Sequence, residues 1–140
     1  MSASHRRRVR ILAMQALCQW DAQQDTDPDA LAVFLADFEA ESEQTGTAKP
    51  AAVLVQTFWD QAESIDVLIQ QAARDWSIER MGAVDRNAMR VAVVEMKLSK
   101  APVRVIINEA LEIVREYGGR DSVRFVNGVL DAVARSMEEL

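Results

Sequence analysis

Apolar residues recur at helical spacing along almost the whole of this 140-residue chain. In the first segment they fall at i, i+3, i+4, i+7, i+8 and i+11, which places them on one face of a helix. The residues on this face are Val9, Leu12, Ala13, Ala16, Leu17 and Trp20. No segment alternates convincingly between apolar and polar residues, as a half-buried strand does. The sequence therefore predicts an all-α fold, a compact bundle of six or seven helices.

Capping residues and helix breakers predict where several of these helices begin and end. Ser4 is the predicted N-cap of the first helix, and Asp27-Pro28 is a typical helix start. The apolar pattern over residues 50–76 fits either one long helix or two helices that join near Ser64. Gly118-Gly119 predicts the end of a helix just before the last one begins. A single domain over residues 1–140 is expected, because a chain of this length buries a sizeable core.

Composition excludes several classes of protein. The single Cys cannot form an internal disulfide, and one Cys with one His is too few for a closed zinc site. No apolar run approaches the roughly 18 residues of a membrane span, and no apolar signal-peptide core follows the basic N-terminus. We therefore expect a cytoplasmic protein with no bound metal and no membrane partner.

Charge is distributed unevenly along the chain, whose net charge is −6. Eight of the 22 acidic residues lie between Asp21 and Glu43, a stretch without Lys or Arg. A basic cluster precedes this stretch and contains His5, Arg6, Arg7, Arg8 and Arg10. Because electrostatic attraction acts over a Debye length of about 10 Å, a locally basic surface can bind a polyanion despite the overall acidity.

Residues suited to catalysis are scarce in this sequence. The only His, His5, lies in the basic segment, and Cys18 has no His near it in sequence. Gly118-Gly119 is not followed by the Lys-Ser/Thr pair of a phosphate-binding loop. We therefore predict a protein that is not an enzyme and needs no cofactor. An all-α enzyme that uses only Arg and Glu, of the chorismate mutase kind, is the alternative left open.

The arginines at the start of the first helix form one candidate anion-binding surface, made of Arg6, Arg7, Arg8 and Arg10. Positive charge at a helix N-terminus opposes the helix dipole, so its presence here favours an anionic ligand. Arginine can bind a phosphate through two hydrogen bonds, which is typical of nucleic-acid contacts. The alternative is a disordered tail whose charge serves solubility.

The start of the last predicted helix is the second candidate surface. Its residues are Arg120, Asp121, Ser122, Arg124 and Phe125. Free backbone N–H groups at a helix start favour a phosphate, and an aromatic ring beside two arginines can stack on an unpaired base. The alternative is that Phe125 belongs to the core and Asp121 is an ordinary N-cap. We expect this stretch and the arginine-bearing helix to lie side by side in one groove.

Several motifs together resemble the NusB family. One motif resembles the first helix of that family. It is Arg6-Arg7-Arg8-Val9-Arg10 followed by Ala13-Met14-Gln15-Ala16-Leu17. The family's central signature is similar to residues 76–96, which include Val84-Asp85-Arg86. Its C-terminal signature is similar to residues 117–131, which include Phe125-Val126-Asn127-Gly128-Val129-Leu130-Asp131. The resemblance covers most of the chain, and residues 21–75 contribute least to it.

The resemblance implies an RNA-binding transcription antitermination factor with two helical subdomains. Members of the family bind boxA-type single-stranded RNA together with the small-subunit ribosomal protein NusE. They join RNA polymerase in antitermination complexes that promote ribosomal RNA transcription. On this sequence the implied RNA surface comprises Arg6, Arg7, Arg8, Arg10, Asp121, Ser122, Arg124 and Phe125. The implied NusE surface comprises Cys18, Glu79, Arg80 and Asp85.

The chain departs from the family pattern at two positions, because the family commonly has Tyr where this chain has Cys18 and Val94. The absence of an aromatic side chain at Cys18 is expected to affect the strength of NusE binding more than that of RNA binding. Two other functions stay open, an RNA-binding module of a ribosomal RNA cytosine methyltransferase and a helical adaptor that binds only protein. The sequence does not decide between a monomer and a homodimer.

Overall fold

Seven α-helices make up most of the computed structural model, which describes residues 2–42, 46–98 and 101–138. They are α1 (Ala3–Gln23), α2 (Pro28–Ser42), α3 (Ala48–Asp60), α4 (Ala62–Ala72), α5 (Ala83–Leu98), α6 (Val103–Tyr117) and α7 (Ser122–Glu138). A short 3-10 helix, Ile78–Arg80, lies between α4 and α5. These ranges contain no strand, which confirms the predicted all-α fold. None of the helices in them is both long enough and apolar enough to cross a membrane.

The first helix begins earlier than predicted. α1 starts at Ala3, and its N-cap is Ser2, whose hydroxyl accepts a hydrogen bond from the His5 backbone N–H at 3.1 Å. Ser4, the predicted cap, therefore lies inside the helix. Either serine has a hydroxyl that can cap a helix. Ser2 is the cap because the helix begins at Ala3, two residues before the start that a cap at Ser4 implies.

The apolar pattern over residues 50–76 forms two helices, which join at Gln61 and not at Ser64. The Ser64 hydroxyl donates to the Gln61 carbonyl oxygen at 3.0 Å, so Ser64 stabilises the first turn of α4 from within. Two other predicted boundaries are confirmed. α2 begins at Pro28, and α6 ends just before Gly118-Gly119.

The helix α5 lies at the centre of the molecule. Residues Asn87 to Glu95 are buried without interruption, because α5 contacts α1, α3, α4, α6 and α7. A helix enclosed in this way is apolar on most sides. Its buried polar side chains are all hydrogen-bonded, and they belong to Asn87, Arg90 and Glu95. The helices α1–α3 form one group around α5, and α4, α6 and α7 form the other.

Two ion pairs fix α1 antiparallel to α5. Arg10 near the start of α1 pairs with Glu95 near the end of α5, and Asp21 near the end of α1 pairs with Arg86 near the start of α5. α6 then runs back along α5, and the turn after it lies against the start of α5. The basic start of α1 and the turn before α7 are therefore found toward opposite ends of α5.

Candidate functional site

Three of the four predicted arginines at the start of α1 are exposed, namely Arg6, Arg7 and Arg8. α6 holds Arg7 from the side, because the Nε and Nη2 atoms of Arg7 donate to Glu109 at 2.8 and 3.1 Å. A bidentate pair of this kind fixes the direction of the guanidinium. The segment is part of a helix, so the alternative of a disordered tail does not hold.

Arg10 points into the molecule. Its Nε and Nη2 atoms donate to the Glu95 carboxylate at 2.6 and 2.9 Å, and Arg10 is only 8% exposed. The expectation that this guanidinium projects from the helix with the other three is wrong. Position 10 faces α5, where a buried carboxylate requires a paired cation. Arg10 therefore stabilises the packing of α1 on α5, and the exposed basic surface consists of the other three arginines.

An acidic face of α6 lies beside the exposed arginines. The hydrogen bond from Arg7 lowers the pKa of Glu109, and the same hydrogen bond raises the pKa of Arg7. Glu112 and Glu116, further along α6, also raise the pKa of Arg7. A phosphate that approaches Arg7 thus competes with a carboxylate that already accepts two of its hydrogen bonds. Arg8 is exposed and makes no ion pair among the residues that the structure describes.

The turn between α6 and α7 is built around Gly118. A Cβ at this position would lie 2.7 Å from both Ser122 Oγ and the Val114 carbonyl oxygen, and 3.0 Å from Asp85 Oδ1. Only a residue without a Cβ fits there. The Gly119 N–H donates to Ser122 Oγ at 2.8 Å, and Ser122 is buried. Ser122 is one of the predicted RNA contacts, but its buried hydroxyl stabilises the turn through the hydrogen bond with Gly119.

The other predicted residues of this stretch reach the surface. Arg120, Asp121 and Arg124 are exposed. Phe125 is half-buried and packs against the core, so part of the residue is accessible. The Asp121 carbonyl oxygen accepts the Phe125 N–H at 3.1 Å and so forms the first hydrogen bond of α7.

The arginine run and this turn lie at different points along α6. Arg7 contacts α6 at Glu109, and the nine residues from there to Gly118 correspond to about 14 Å along a helix. A cavity of about 500 Å³ beside Arg6 is lined by α1, α3, α5 and α6 and by none of residues 120–125. Glu109 and Tyr117 both belong to α6, so this helix connects the two surfaces.

The predicted partner residues lie together, away from the arginine run. Cys18 is half-buried near the end of α1, and its thiol donates to the Ala83 carbonyl oxygen at 3.5 Å. Asp85 lies in the first turn of α5, and Glu79 and Arg80 are exposed on the 3-10 helix just before it. Burial raises the pKa of the Cys18 thiol, which therefore stays protonated at neutral pH.

Sequence reasoning missed a polar network behind this surface. Arg86 donates to Asp21 at 2.8 Å and to the carbonyl oxygens of Ile78 and Met81 at 3.2 and 2.9 Å, so it fixes the 3-10 helix against α1. Burial alone would raise the pKa of Asp21. The hydrogen bond from Arg86 and the charges of Arg90 and Arg86 outweigh burial and hold that pKa below its ordinary value. The signal in the sequence was two arginines four residues apart inside a strongly apolar helix.

Comparison with known proteins shows which family the chain matches. The model of the NusB family matches residues 7–135. The transcription antitermination protein NusB of Solibacter usitatus is 41% identical over 135 residues, which are 96% of this chain and 91% of that protein. The protein of the same name from Anaeromyxobacter dehalogenans (strain 2CP-1) is 40% identical over 135 residues, which are 96% of this chain and 93% of that protein.

Solved structures agree with this match. T. maritima NusB is 31% identical, has a TM-score of 0.79, and aligns over 96% of this chain and 97% of its own. A crystal structure of the antitermination factors NusB and NusE in complex with double-stranded RNA gives 27% identity and a TM-score of 0.80, over 96% of this chain and 99% of the matched chain. Because sequence and fold agree along nearly its whole length, the chain belongs to the NusB family.

Proposed function

We propose that this chain is an RNA-binding transcription antitermination factor. It binds boxA-type single-stranded RNA together with the ribosomal protein NusE, and it joins an RNA polymerase antitermination complex that promotes ribosomal RNA transcription. Its relatives are named as transcription antitermination proteins, and one solved relative is in complex with NusE and RNA. These names support the proposal, and the placement of the two candidate surfaces in this chain supports it independently.

The observation that carries the proposal is the contact between the RNA turn and the partner surface. Gly118 lies so close to Asp85 that a Cβ on Gly118 would be 3.0 Å from the carboxylate. RNA bound at the turn and NusE bound at Asp85 would therefore share an edge. Ligands that share an edge can contact each other, and each then raises the affinity of the protein for the other.

The proposed mechanism is binding without a chemical step. Arg6 and Arg8 bind phosphates, and Arg7 does so when a phosphate displaces Glu109. At the other end of α6, the partly accessible ring of Phe125 stacks on an unpaired base and the Asp121 carboxylate accepts hydrogen bonds from a base edge. We further propose that residues 1–140 act as one RNA-binding domain in the cytoplasm, where it can reach nascent RNA.

A gel shift with boxA-type RNA, with and without NusE, tests the proposal. We expect a specific complex with the chain alone at low salt and a tighter one when NusE is added. A scrambled RNA of the same length is the control. Equal binding to the boxA-type and the scrambled RNA, both with and without NusE, would overturn the proposal. Binding of NusE without any binding of RNA would favour the helical adaptor that binds only protein.

Replacing Arg7 and Arg8 together by Ala should weaken RNA binding and flatten its salt dependence. Each lost phosphate contact removes about 0.7 from the slope of log K against log salt for a single strand. We expect Arg8→Ala alone to give most of the change, because Glu109 already pairs with Arg7. Fluorescence anisotropy across a salt series measures the slope. Arg135→Ala, an exposed residue near the end of α7, is the matched control, and an unchanged slope in the double variant would contradict phosphate contacts at both positions.

Replacing Phe125 by Ala should lower RNA affinity by about 1–3 kcal/mol, because an aromatic ring that stacks on a base contributes that much. Val123→Ala is the control, since Val123 is half-buried on the same helix and packs against the same core. We expect Val123→Ala to reduce stability without changing RNA affinity. If folded Phe125→Ala binds RNA as the original chain does, the ring serves only the core.

A further inference from the structure

A cleft of about 430 Å³ opens between the end of α1 and the 3-10 helix, with further walls from α3, α4 and α5. Three aromatic side chains, Trp20, Phe58 and Trp59, contribute to its walls. Trp20 and Trp59 stand edge to face with their ring centroids 5.7 Å apart, and Phe58 and Ile78 extend the apolar lining. Glu79 belongs both to this cleft and to the proposed NusE surface, so the two are continuous.

The arginines at the base of the cleft have few free hydrogen-bond donors for an anion. Arg90 donates to both Asp66 oxygens at 2.9 and 2.7 Å and to Asn87 Oδ1 at 3.0 Å. Arg86 directs its donors to Asp21 and to two backbone carbonyl oxygens. Because most of these N–H groups are already hydrogen-bonded inside the protein, the cleft has no strong anion-binding donors.

Carboxylates at the mouth of the cleft keep most of their acceptor capacity. Asp25 is exposed, and its Oδ1 accepts one hydrogen bond, from the Asp27 backbone N–H at 2.9 Å. Glu79 is exposed and makes no ion pair in the described part of the chain. A carboxylate has about four acceptor positions. On the Asp25 side, the chain from Asp21 to Ala48 contains no Lys or Arg; on the Glu79 side, Arg74 and Arg80 lie nearby.

We propose that this cleft receives a basic side chain, Arg or Lys, from the polypeptide that binds the adjoining Glu79 surface. The cation lies against the half-buried indole of Trp59, since an aromatic face attracts a cation. Asp25 and Glu79 accept its hydrogen bonds, which are stronger because both partners are charged. The inference rests on the proposed function, because that polypeptide is the ribosomal protein; it adds an anchor pocket and the chemistry of its occupant.

Charge and shape favour a basic side chain in this cleft over an RNA phosphate, a metal ion or an apolar segment. RNA phosphates would meet Asp25 and Glu79 at the mouth and be repelled. The described residues contain no group of three or more side chains placed to hold a metal ion. A purely apolar segment would desolvate the carboxylates without giving them a partner, which costs free energy. A basic side chain satisfies the aromatic wall and the carboxylates together.

Two double variants with equal loss of charge test the proposal in a titration with NusE and no RNA. D25N/E79Q removes both charges at the mouth and keeps side chains of the same shape, so the amide oxygen at position 25 can still accept the Asp27 N–H. D29N/D37N removes two exposed charges from the same acidic stretch but outside the cleft. We expect D25N/E79Q to weaken NusE binding at least tenfold, since neutralised charge pairs at an interface have effects of at least this size. D25N alone should account for part of the loss, because Asp25 lines the cleft and does not belong to the NusE surface that the sequence predicts. D29N/D37N should leave the affinity nearly unchanged.

Trp59→Phe gives a second measurement. Phenylalanine keeps a ring against Trp20 but attracts a cation less strongly than tryptophan. We expect a smaller weakening of NusE binding than in D25N/E79Q, with RNA binding by the chain alone unchanged. Unchanged NusE affinity in folded Trp59→Phe would contradict the proposed contact between the cation and the Trp59 indole.

Each contrary outcome has a distinct meaning. Equal NusE affinity in D25N/E79Q and D29N/D37N would overturn the cleft as an anchor and leave the proposed function in place. If the original chain does not bind NusE at all, the proposed function fails at its partner and the cleft inference falls with it. Self-association that D25N/E79Q abolishes would identify a second copy of the chain as the occupant, and this too would overturn the inference.

Discussion

Replacing Glu95 by Ala should lower the free energy of unfolding by about 3–5 kcal/mol, the range for breaking a buried ion pair. Glu95 is 8% exposed and accepts two hydrogen bonds from Arg10 at 2.6 and 2.9 Å. Its removal leaves the Arg10 guanidinium between α1 and α5 without a counter-charge, so the desolvation of that cation is no longer offset. Urea denaturation measures the loss as a lower midpoint at constant m value.

Two controls separate the effect of charge from the effect of packing. The double variant R10M/E95L replaces the pair with apolar side chains, and we expect it to recover most of the lost stability. Glu112→Ala removes an exposed partner of Arg115 and should change stability by less than about 1 kcal/mol. A similarly small loss in Glu95→Ala would show that water reaches Arg10, and Arg10 would then return to the set of candidate RNA contacts.

Replacing Arg90 by Ala is expected to cost about 3–4 kcal/mol, because it also breaks a largely buried pair. The Arg90 guanidinium donates to Asp66 on α4 and to Asn87, and it lies 4.8 Å from the ring centroid of Phe58 on α3. The substitution leaves the Asp66 carboxylate without its bidentate partner and removes a cation–π contact. Thermal or urea unfolding, followed by circular dichroism, measures the change.

An exposed arginine provides the matched control for this prediction. Arg104 lies exposed in the first turn of α6, and Arg104→Ala should change stability by no more than about 0.5 kcal/mol. The double variant R90M/D66L should be more stable than Arg90→Ala, because it leaves no unpaired carboxylate. If Arg90→Ala unfolds like Arg104→Ala, the network around Arg90 does not contribute to the packing of α3 and α4 on α5.

Much of the fold could be predicted because helix formation depends on local patterns. The stripe from Val9 to Trp20 defines the buried face of α1, and Pro28 and Gly118 mark boundaries that the structure keeps. The position of the break between α3 and α4 could not be read in the same way. Gln61 is no stronger a helix breaker than Ser64. The two helices differ in their packing, since both contact α5 and α4 also contacts α7.

The candidate site shows the same division between local and long-range information. The sequence identified the arginine run and the residues around Phe125, since residue type and position in a predicted helix were enough to suggest phosphate and base contacts. It could not assign Arg10 to the interior, because its partner Glu95 is 85 residues away. The cleft beside Trp59 could not be found either, since its lining comes from four helices and the 3-10 helix.

The sequence by itself determined the helices, their apolar faces and the residue types available for an anionic strand, because these depend on neighbours within a few turns. Only the tertiary structure decided which charges are exposed and which are paired in the interior. It also set the two candidate RNA surfaces about 14 Å apart along α6 and brought Asp85 against Gly118. The physical reason is that ion pairs and close contacts between helices depend on how distant segments pack, and no local spacing in the chain records that packing.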